Sequence, residues 1–528
     1  MKPIGIDLGT TFSAIARWQD TGMVIGPECY YFQNEAKNYI PSKIFIPDLR
    51  NLAGDVLYGT MAIRRSIIAP DYFYSAFKRG IANDDPIQRP HGSITPTKLS
   101  SMLLAHMFDG NGHVNSVEGA NFIPEGVTVS VPYYFKENAK RNTQTALSKA
   151  LEQVYRDHLD YDDSLNLLTV PEPIAAGLDY AFSNINSINQ QDILIFDLGG
   201  GTFDVTIYEL KNSNQDKKLE FTVLATDGDS HLGGEDFDES IRKFILKKNG
   251  IDESQLDKRT LAKFYIEVTE VKCILSSVSQ TSILINDFYD RRDLDFTLTD
   301  QDIADILSGK ENVGKDYISK IEDIIDRCIN KAGISAAEID RVVMVGGSSH
   351  IPCIRKMLEQ KFSAGKMVQS PKPEETVARG ACIYATYLLD KKNICNPNYR
   401  RHLHYWDEIN IKEKTAHDLG IVTANNTVDK IIYSNKFTPI SGTRSYIPSV
   451  LNQDGLTATL NPLIVKQGGE EIGSIPVPTI YTHGRTRTQI PISITLRAEP
   501  AQVMVIIHVP QGNEDGTDLH LEEPIHLS

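Results

Sequence analysis

Two stretches of the chain repeat one plan. Residues 3–18, PIGIDLGTTFSAIARW, and residues 195–207, IFDLGGGTFDVTI, each run an apolar strand into Asp-Leu-Gly, through glycine and threonine, and out along a second apolar strand. Both read as β-hairpins. Glycine tolerates positive φ and leaves backbone N–H groups uncovered, which suits a turn that wraps an anion. A dinucleotide fingerprint would need the glycines to open a helix, and here they run into another strand. Two such hairpins, about 190 residues apart, point to an internal duplication with two α/β lobes facing each other across a cleft. Each lobe would offer one phosphate-cradling turn and one carboxylate, Asp7 or Asp197, to a single nucleotide. The aspartates would hold a hydrated magnesium.

Composition narrows the class without naming it. At 528 residues, 41% hydrophobic and 23% charged, the chain has room for several globular domains. The balance of 54 basic against 69 acidic residues gives −15, so nucleic acid and anionic membrane are not expected partners. No apolar run is long enough to span a bilayer. The first strand begins almost at Met1, with Lys2 the only early positive charge, so no secretory signal is expected and the location is expected to be cytoplasmic. Cys29, Cys273, Cys328, Cys353, Cys382 and Cys395 show no C-x-x-C spacing, which fits reduced thiols better than disulfides or a zinc site.

Along the chain, residues 1–390 alternate strand and helix patterns. Ile318, Ile321, Ile325, Cys328, Ile329 and Ala332 fall at helical spacing within 313–333, which predicts a core-facing helix. Residues 391–411 break the periodicity with Pro-Asn, basic and aromatic clusters, and read as a linker. From 412 to 510, short β-patterned runs such as DKIIYS, PISITLRA and AQVMVIIHV predict an all-β domain, and 511–528 reads as a polar, frayed tail.

The motifs IGIDLGTT (4–11), VPYYF (131–135), PEPIAAGLDY (171–180), IFDLGGGTFDV (195–205), GDSHLGGEDFD (228–238) and VMVGGSSHIP (343–352) occur in an order that resembles the DnaK-type, seventy-kilodalton heat-shock chaperones. The resemblance covers 1–390 closely and 412–510 more loosely, through HDLGIVTANNTVDKII. It implies a two-lobed, actin-like ATPase domain of duplicated ribonuclease-H-like lobes, followed by a β-sandwich that binds peptide. The helical lid that follows the sandwich in most members is not represented, since the chain ends within about twenty residues of its last expected strand.

Residue by residue, the resemblance implies ATP or ADP and Mg2+ as cofactors. Asp7 and Asp197 would hold the magnesium through water. Gly9, Thr10, Thr11, Gly199, Gly200, Gly201, Thr202 and Gly234 would cradle the phosphates. Lys78 matches the family's essential lysine, and Glu172, Asp197, Thr202 and Asp204 complete the catalytic set, with Glu172 and Asp204 orienting the attacking water. Lys272, Cys273, Ser276, Gly346, Gly347, Ser348, His350 and Glu374 would form the adenosine site. Ile421 and Tyr446 align with cavity residues of the peptide-binding domain, and Pro132 with a proline that relays nucleotide state.

The chain departs from the pattern at the base. Cys273 and His350 stand where arginines normally sandwich the adenine, and Thr269 stands for a ribose-binding glutamate. Leu168 and Pro171 occupy the J-domain contact positions, Lys140 stands where a linker-docking arginine is usual, and the Asp-Leu-Leu-Leu-Leu-Asp linker gives way to His402, Tyr405 and Trp406. These changes speak against a J-domain co-chaperone, while a nucleotide-exchange factor stays among the implied partners. The leading expectation is an ATP hydrolase that controls binding of unfolded or extended client peptides. The alternative is a nucleotide-gated binder of one dedicated partner with weak hydrolysis. A small-molecule kinase has no use for GGEDFD or the β-domain.

Overall fold

The computed structural model describes the chain apart from residues 1–2, 22–23, 53, 110–113, 120–121, 134, 157–166, 214, 371, 394–400, 413–417, 424–426, 434–439, 449, 453–454, 460, 468–469, 499–502 and 525–528. Tyr134, Cys395 and the 394–400 part of the expected linker therefore lie outside the described residues. The chain divides into two compact units. One comprises Met1–Tyr133, Asn142–Leu219 and Leu224–Ile409, and the other Tyr134–Arg141, Glu220–Val223 and Asn410–Ser528.

In the first unit the duplication is written in strand order. One sheet runs Leu167–Pro171, Gly126–Val131, Pro3–Leu8, Phe12–Asp20, Ile25–Cys29, and a second runs Met367–Gln369, Arg341–Val345, Gln190–Leu198, Phe203–Ser213, Lys218–Asp229. In each, the strand carrying Asp-Leu-Gly is antiparallel to its hairpin partner and parallel to the strand on its other side. Register matches too: Asp7 lies opposite Ala14, and Asp197 opposite Asp204. These central strands are near-continuous apolar runs because helices cover both sheet faces. Ile4, Ile6 and Leu8 in one, and Leu194, Phe196 and Leu198 in the other, are fully buried in separate cores.

Helices Glu172–Ser183 and Thr376–Asn393 cross tightly. A Cβ on Gly380 would stand 1.7 Å from the Ala175 carbonyl oxygen, so only glycine fits. Asp179 and Arg379 bridge this crossing at 2.8 Å. Burial pushes the Asp179 carboxyl up to about 6, against the pull of Arg379. The helix expected within 313–333 spans Tyr317–Ala332, with Asp316 accepting the Ser319 N–H at its start and Gly333 left-handed at its end. Ile321, Ile325, Cys328 and Ile329 face the core as their spacing predicts.

The described part of the 391–411 segment is anchored. Trp406 is buried and donates its indole N–H to Asn212 Oδ1 at 2.9 Å, and its ring meets Phe182 edge-on. The His402 and Leu403 N–H groups donate to the Asp390 carboxylate at 3.0 and 2.6 Å. The broken periodicity that suggests a loose connector marks an irregular path, and the aromatic cluster within it is a packing anchor.

In the second unit two antiparallel four-stranded sheets share one core. One runs Val428–Ile432, Leu419–Val422, Leu463–Gln467, Glu470–Ile475, and the other Ile440–Tyr446, Ile492–Ala498, Val503–Val509, Leu519–Pro524. The last strand corrects the expectation of a frayed tail. Leu519 and Leu521 alternate with His520 and Glu522, and this period of two pairs the segment with Val503–Val509 from Met504↔Pro524 to Val509↔Leu519. Acidic composition masked the alternation. Among the described residues, no helix is long and apolar enough to cross a membrane.

Candidate nucleotide site

The two glycine turns of the first unit meet. A Cβ on Gly200 would stand 1.7 Å from Thr11 Oγ1, and one on Gly201 would stand 2.8 Å from Thr10 Cγ2 and 2.7 Å from Arg79 Nε. Bare backbone is therefore what lets the first turn approach the second. The second turn is held from behind by helix Gly234–Asn249, whose Gly234 and Glu235 N–H groups donate to the Gly199 and Gly200 carbonyls at 3.0 and 2.7 Å. The Gly199 N–H donates to the Thr202 carbonyl at 3.0 Å. On the first turn, Ser42 Oγ donates to the Gly9 carbonyl at 2.7 Å.

Beside the turns lies a buried charge cluster. Lys78 Nζ donates to Glu172 Oε1 at 2.7 Å, and both side chains are less than a tenth exposed. Asp7, Asp197 and Asp204 belong to the same cluster, because their carboxyls and the Lys78 and Glu172 charges act on one another. Burial, then repulsion from Glu172, pushes Asp7 up to about 7, with Lys78 and a 3.0 Å hydrogen bond from Ser130 pulling back. Asp197 rises well above the carboxylate range through burial and then repulsion from Glu172 and Asp7, and Asp204 does so through burial and then Glu172 and Asp197. Burial works to lower the Lys78 ammonium, but Glu172 and Asp7 outweigh it and hold it above its ordinary value. Three of the four carboxyls around this lysine are thus pushed toward the protonated form, and a divalent cation among them would draw off those protons and restore their charge. No group of three potential metal ligands is brought together among the described residues.

Among the described residues, the buried polar atoms here without a hydrogen-bond partner include Thr11 Oγ1, Arg79 Nε and Asp204 Oδ1. A buried unsatisfied group is costly, so orphans facing a pair of bare turns mark where a polar ligand belongs.

The remaining sequence-assigned residues gather at the other end. Lys272 Nζ donates to the Gly234 carbonyl at 2.8 Å and pairs with Asp238 at 2.7 Å. Ser348 Oγ donates to the Gly199 carbonyl at 2.9 Å, and Gly346 has left-handed φ with no room for a Cβ beside Leu198 and Asp197. The exposed Cys273 follows Lys272, and the charges of Lys272, Asp238, Lys37 and Glu374 act on its thiol. Ser276 lies one turn beyond Lys272, its hydroxyl 3.5 Å from the Lys272 carbonyl. Gly347 is exposed, and His350 closes the short turn Gly347–His350. The Thr269 hydroxyl lies within hydrogen-bond reach of Asp238 Oδ2 at 2.9 Å and of the Tyr265 carbonyl at 3.0 Å. In the second unit, Ile421 and Tyr446 come together in the sandwich core. Ile421 is buried, and Tyr446, half-buried, donates its hydroxyl to Asp429 at 2.7 Å.

Several residues of the site escape sequence reading. Arg79 donates to the Gly201 carbonyl at 2.7 Å and pairs with Asp236 and Glu235 at 3.3 and 3.5 Å, while Lys43 pairs with Glu235 at 3.6 Å. Ser130, Lys37 and Asp238 are the others. Asp238 ends the motif GDSHLGGEDFD and Arg79 directly follows Lys78, whereas Lys43 and Lys37 carry no local signal.

The fold and this site define a class: a mixed α/β protein with duplicated glycine-turn hairpins around a buried lysine and carboxylate cluster, joined to a β-sandwich. Residues 81–503 match the family model described as Hsp70 protein, and the chain belongs to the Hsp70 family. Members of that family generally bind ATP or ADP with Mg2+, act as ATPases and bind unfolded peptides. Asp7 and Lys78 precede the matched span, so their place in the site rests on the geometry above.

Proposed function

We propose that this chain is an ATP-dependent molecular chaperone, a two-lobed actin-like ATPase whose hydrolysis of ATP to ADP controls the hold of the β-sandwich on extended hydrophobic peptide. The observation that carries this reading is the cluster of Lys78 with Glu172, Asp7, Asp197 and Asp204 beside two abutting glycine turns. Thr10 and Thr11 on one side and Gly200 to Thr202 on the other would offer N–H and hydroxyl donors to the phosphates, the Thr11 hydroxyl among them, while Gly9 and Gly199 shape the turns with their own N–H groups bonded to Ser13 Oγ and the Thr202 carbonyl. A magnesium ion held through water by Asp7 and Asp197 would neutralise phosphate charge. Lys78 places a fixed positive charge where the γ-phosphoryl group gains negative charge, and Glu172 fixes the lysine. Water would add to the γ-phosphorus as the bond to the bridging oxygen breaks, and Asp204 in its ionised form would take the water's proton, a role its unpartnered Oδ1 supports. Its burial makes this carboxyl a stronger base than an exposed aspartate. Lys272, Cys273, Ser276, Gly346, Gly347, Ser348, His350 and Glu374 take the adenosine, and Ile421 and Tyr446 belong to the peptide-binding half.

A second reading has one observation in its favour. The Thr269 hydroxyl lies within reach of Asp238, and Cys273 and His350 supply no cation over the base, which suits a nucleotide-gated binder with slow turnover. Steady-state ATP hydrolysis by the full chain, with and without an extended hydrophobic peptide, separates the two. The chaperone reading expects slow basal turnover that rises with peptide; nucleotide bound without turnover, with or without peptide, selects the second.

A further inference from the structure

His350 closes a turn whose Ser348 is hydrogen-bonded to the triple-glycine turn, so it belongs to the site described above. Its ring does not stand alone. Gln369 ends the strand Met367–Gln369, which pairs in parallel with Arg341–Val345, Gln369 lying beside Met344. From there its side-chain Nε2 comes within 2.6 Å of His350 Nδ1. On its other side, Arg355 Nη1 donates to Gln369 Oε1 at 3.3 Å.

This chain of contacts has one consistent proton arrangement. A guanidinium only donates, so Arg355 selects the oxygen of the Gln369 amide and leaves the NH2 facing the imidazole. An amide nitrogen also only donates, so Nδ1 must accept and carries no proton. The ring proton then sits on Nε2. An imidazolium would set one N–H against another across the 2.6 Å contact.

We propose that Gln369 is a positioning residue that holds His350 as the neutral Nε2–H tautomer. The base end of the site then presents an uncharged ring with one outward N–H donor, where the family resemblance puts a cation. This rests on the nucleotide reading of the site. It identifies the ligand face as one that stacks on, and donates a single hydrogen bond to, a purine. In the helix Pro352–Phe362 that follows this turn, Arg355 is turned toward Gln369 and toward Glu359, to which its Nε donates at 2.9 Å.

The test is long-range proton–nitrogen NMR of the imidazoles in the full chain at neutral pH, with His350 assigned among the 13 histidines by its loss in His350→Phe. The expected pattern is an unprotonated Nδ1 and a protonated Nε2. Gln369→Glu replaces the donor by an acceptor and should move the proton to Nδ1, giving a charged or inverted ring. Gln369→Leu removes the partner and should give a mixture of tautomers. A protonated Nδ1 in the wild type, or the wild-type pattern retained in both variants, overturns the proposal. Adding ATP should shift the His350 signals. Signals that stay in place would overturn the base-binding role of this turn, while the tautomer pattern without nucleotide still decides what Gln369 does. Calorimetry adds a binding readout: Gln369→Glu should bind ATP several-fold more tightly than wild type, and Gln369→Leu should not.

Discussion

The two ends of the nucleotide site have been treated differently by the sequence. At the proposed phosphate end stand two bare turns, a buried lysine, four carboxyls and an orphan hydroxyl. At the proposed base end the backbone is held by the Gly346 close approach and the Ser348 and Lys272 hydrogen bonds, while Cys273 and His350 stand where the family resemblance puts arginines. The difference follows from the physics of the two jobs. Buried charge must be balanced residue by residue, so few substitutions are tolerated there. Stacking on a base is supplied by any flat or polarisable side chain at a cost of about 0.5 to 2 kcal/mol, so that end is free to vary.

The largest expected effect lies at the phosphate end. Lys78→Ala should leave nucleotide bound and cut hydrolysis at least about a hundredfold, since one preorganised charge at a developing negative charge contributes roughly 3 kcal/mol. Quenched-flow measurement of ADP formation reads it, and an unchanged rate removes Lys78 from the mechanism.

A region away from both ends sets the baseline. The Asp179 carboxyl is raised to about 6 in the folded chain from an ordinary 3.8, so the folded state holds its proton to higher pH than the unfolded state. Stability from this group is therefore fully present below about pH 4 and is lost as pH rises through about 6, by up to about 3 kcal/mol. Denaturant unfolding of wild type and Asp179→Asn from pH 4 to 7 should show the variant lacking that decline, with nucleotide binding at both ends unchanged. Parallel pH profiles would mean that Asp179 is not titrating as a buried acid.

At the base end the expected effect is smaller. Cys273→Arg with His350→Arg should tighten ATP binding about tenfold, because an exposed guanidinium stacked on a ring contributes about 0.5 to 1 kcal/mol each. Calorimetry that finds no gain would show that the base is held by other residues.

How much of this was legible in advance varies with the kind of signal. The duplication was readable because Asp-Leu-Gly with a glycine turn occurs twice, and the strand orders repeat accordingly. The helix Tyr317–Ala332 followed from its spacing and from Asp316 and Gly333 at its ends. The strand Leu519–Pro524 was hidden because acidic composition outweighed a short alternation, and the anchoring of Trp406 because Asn212 and Phe182 are remote in sequence. At the site, most assigned residues lie in motifs, although Asp238 was passed over within one; Lys43, Lys37 and Gln369 act through tertiary proximity alone, which no spacing encodes.

Single-turnover hydrolysis, with the full chain in excess over γ-labelled ATP or GTP, separates the contributions of the two ends most directly. If the phosphate end carries the chemistry and the base end grips weakly, both nucleotides release phosphate at rates within about tenfold of each other, since only a contribution of about 1 kcal/mol separates the bases. Release from ATP alone, with GTP inert, or no release from either, would contradict it.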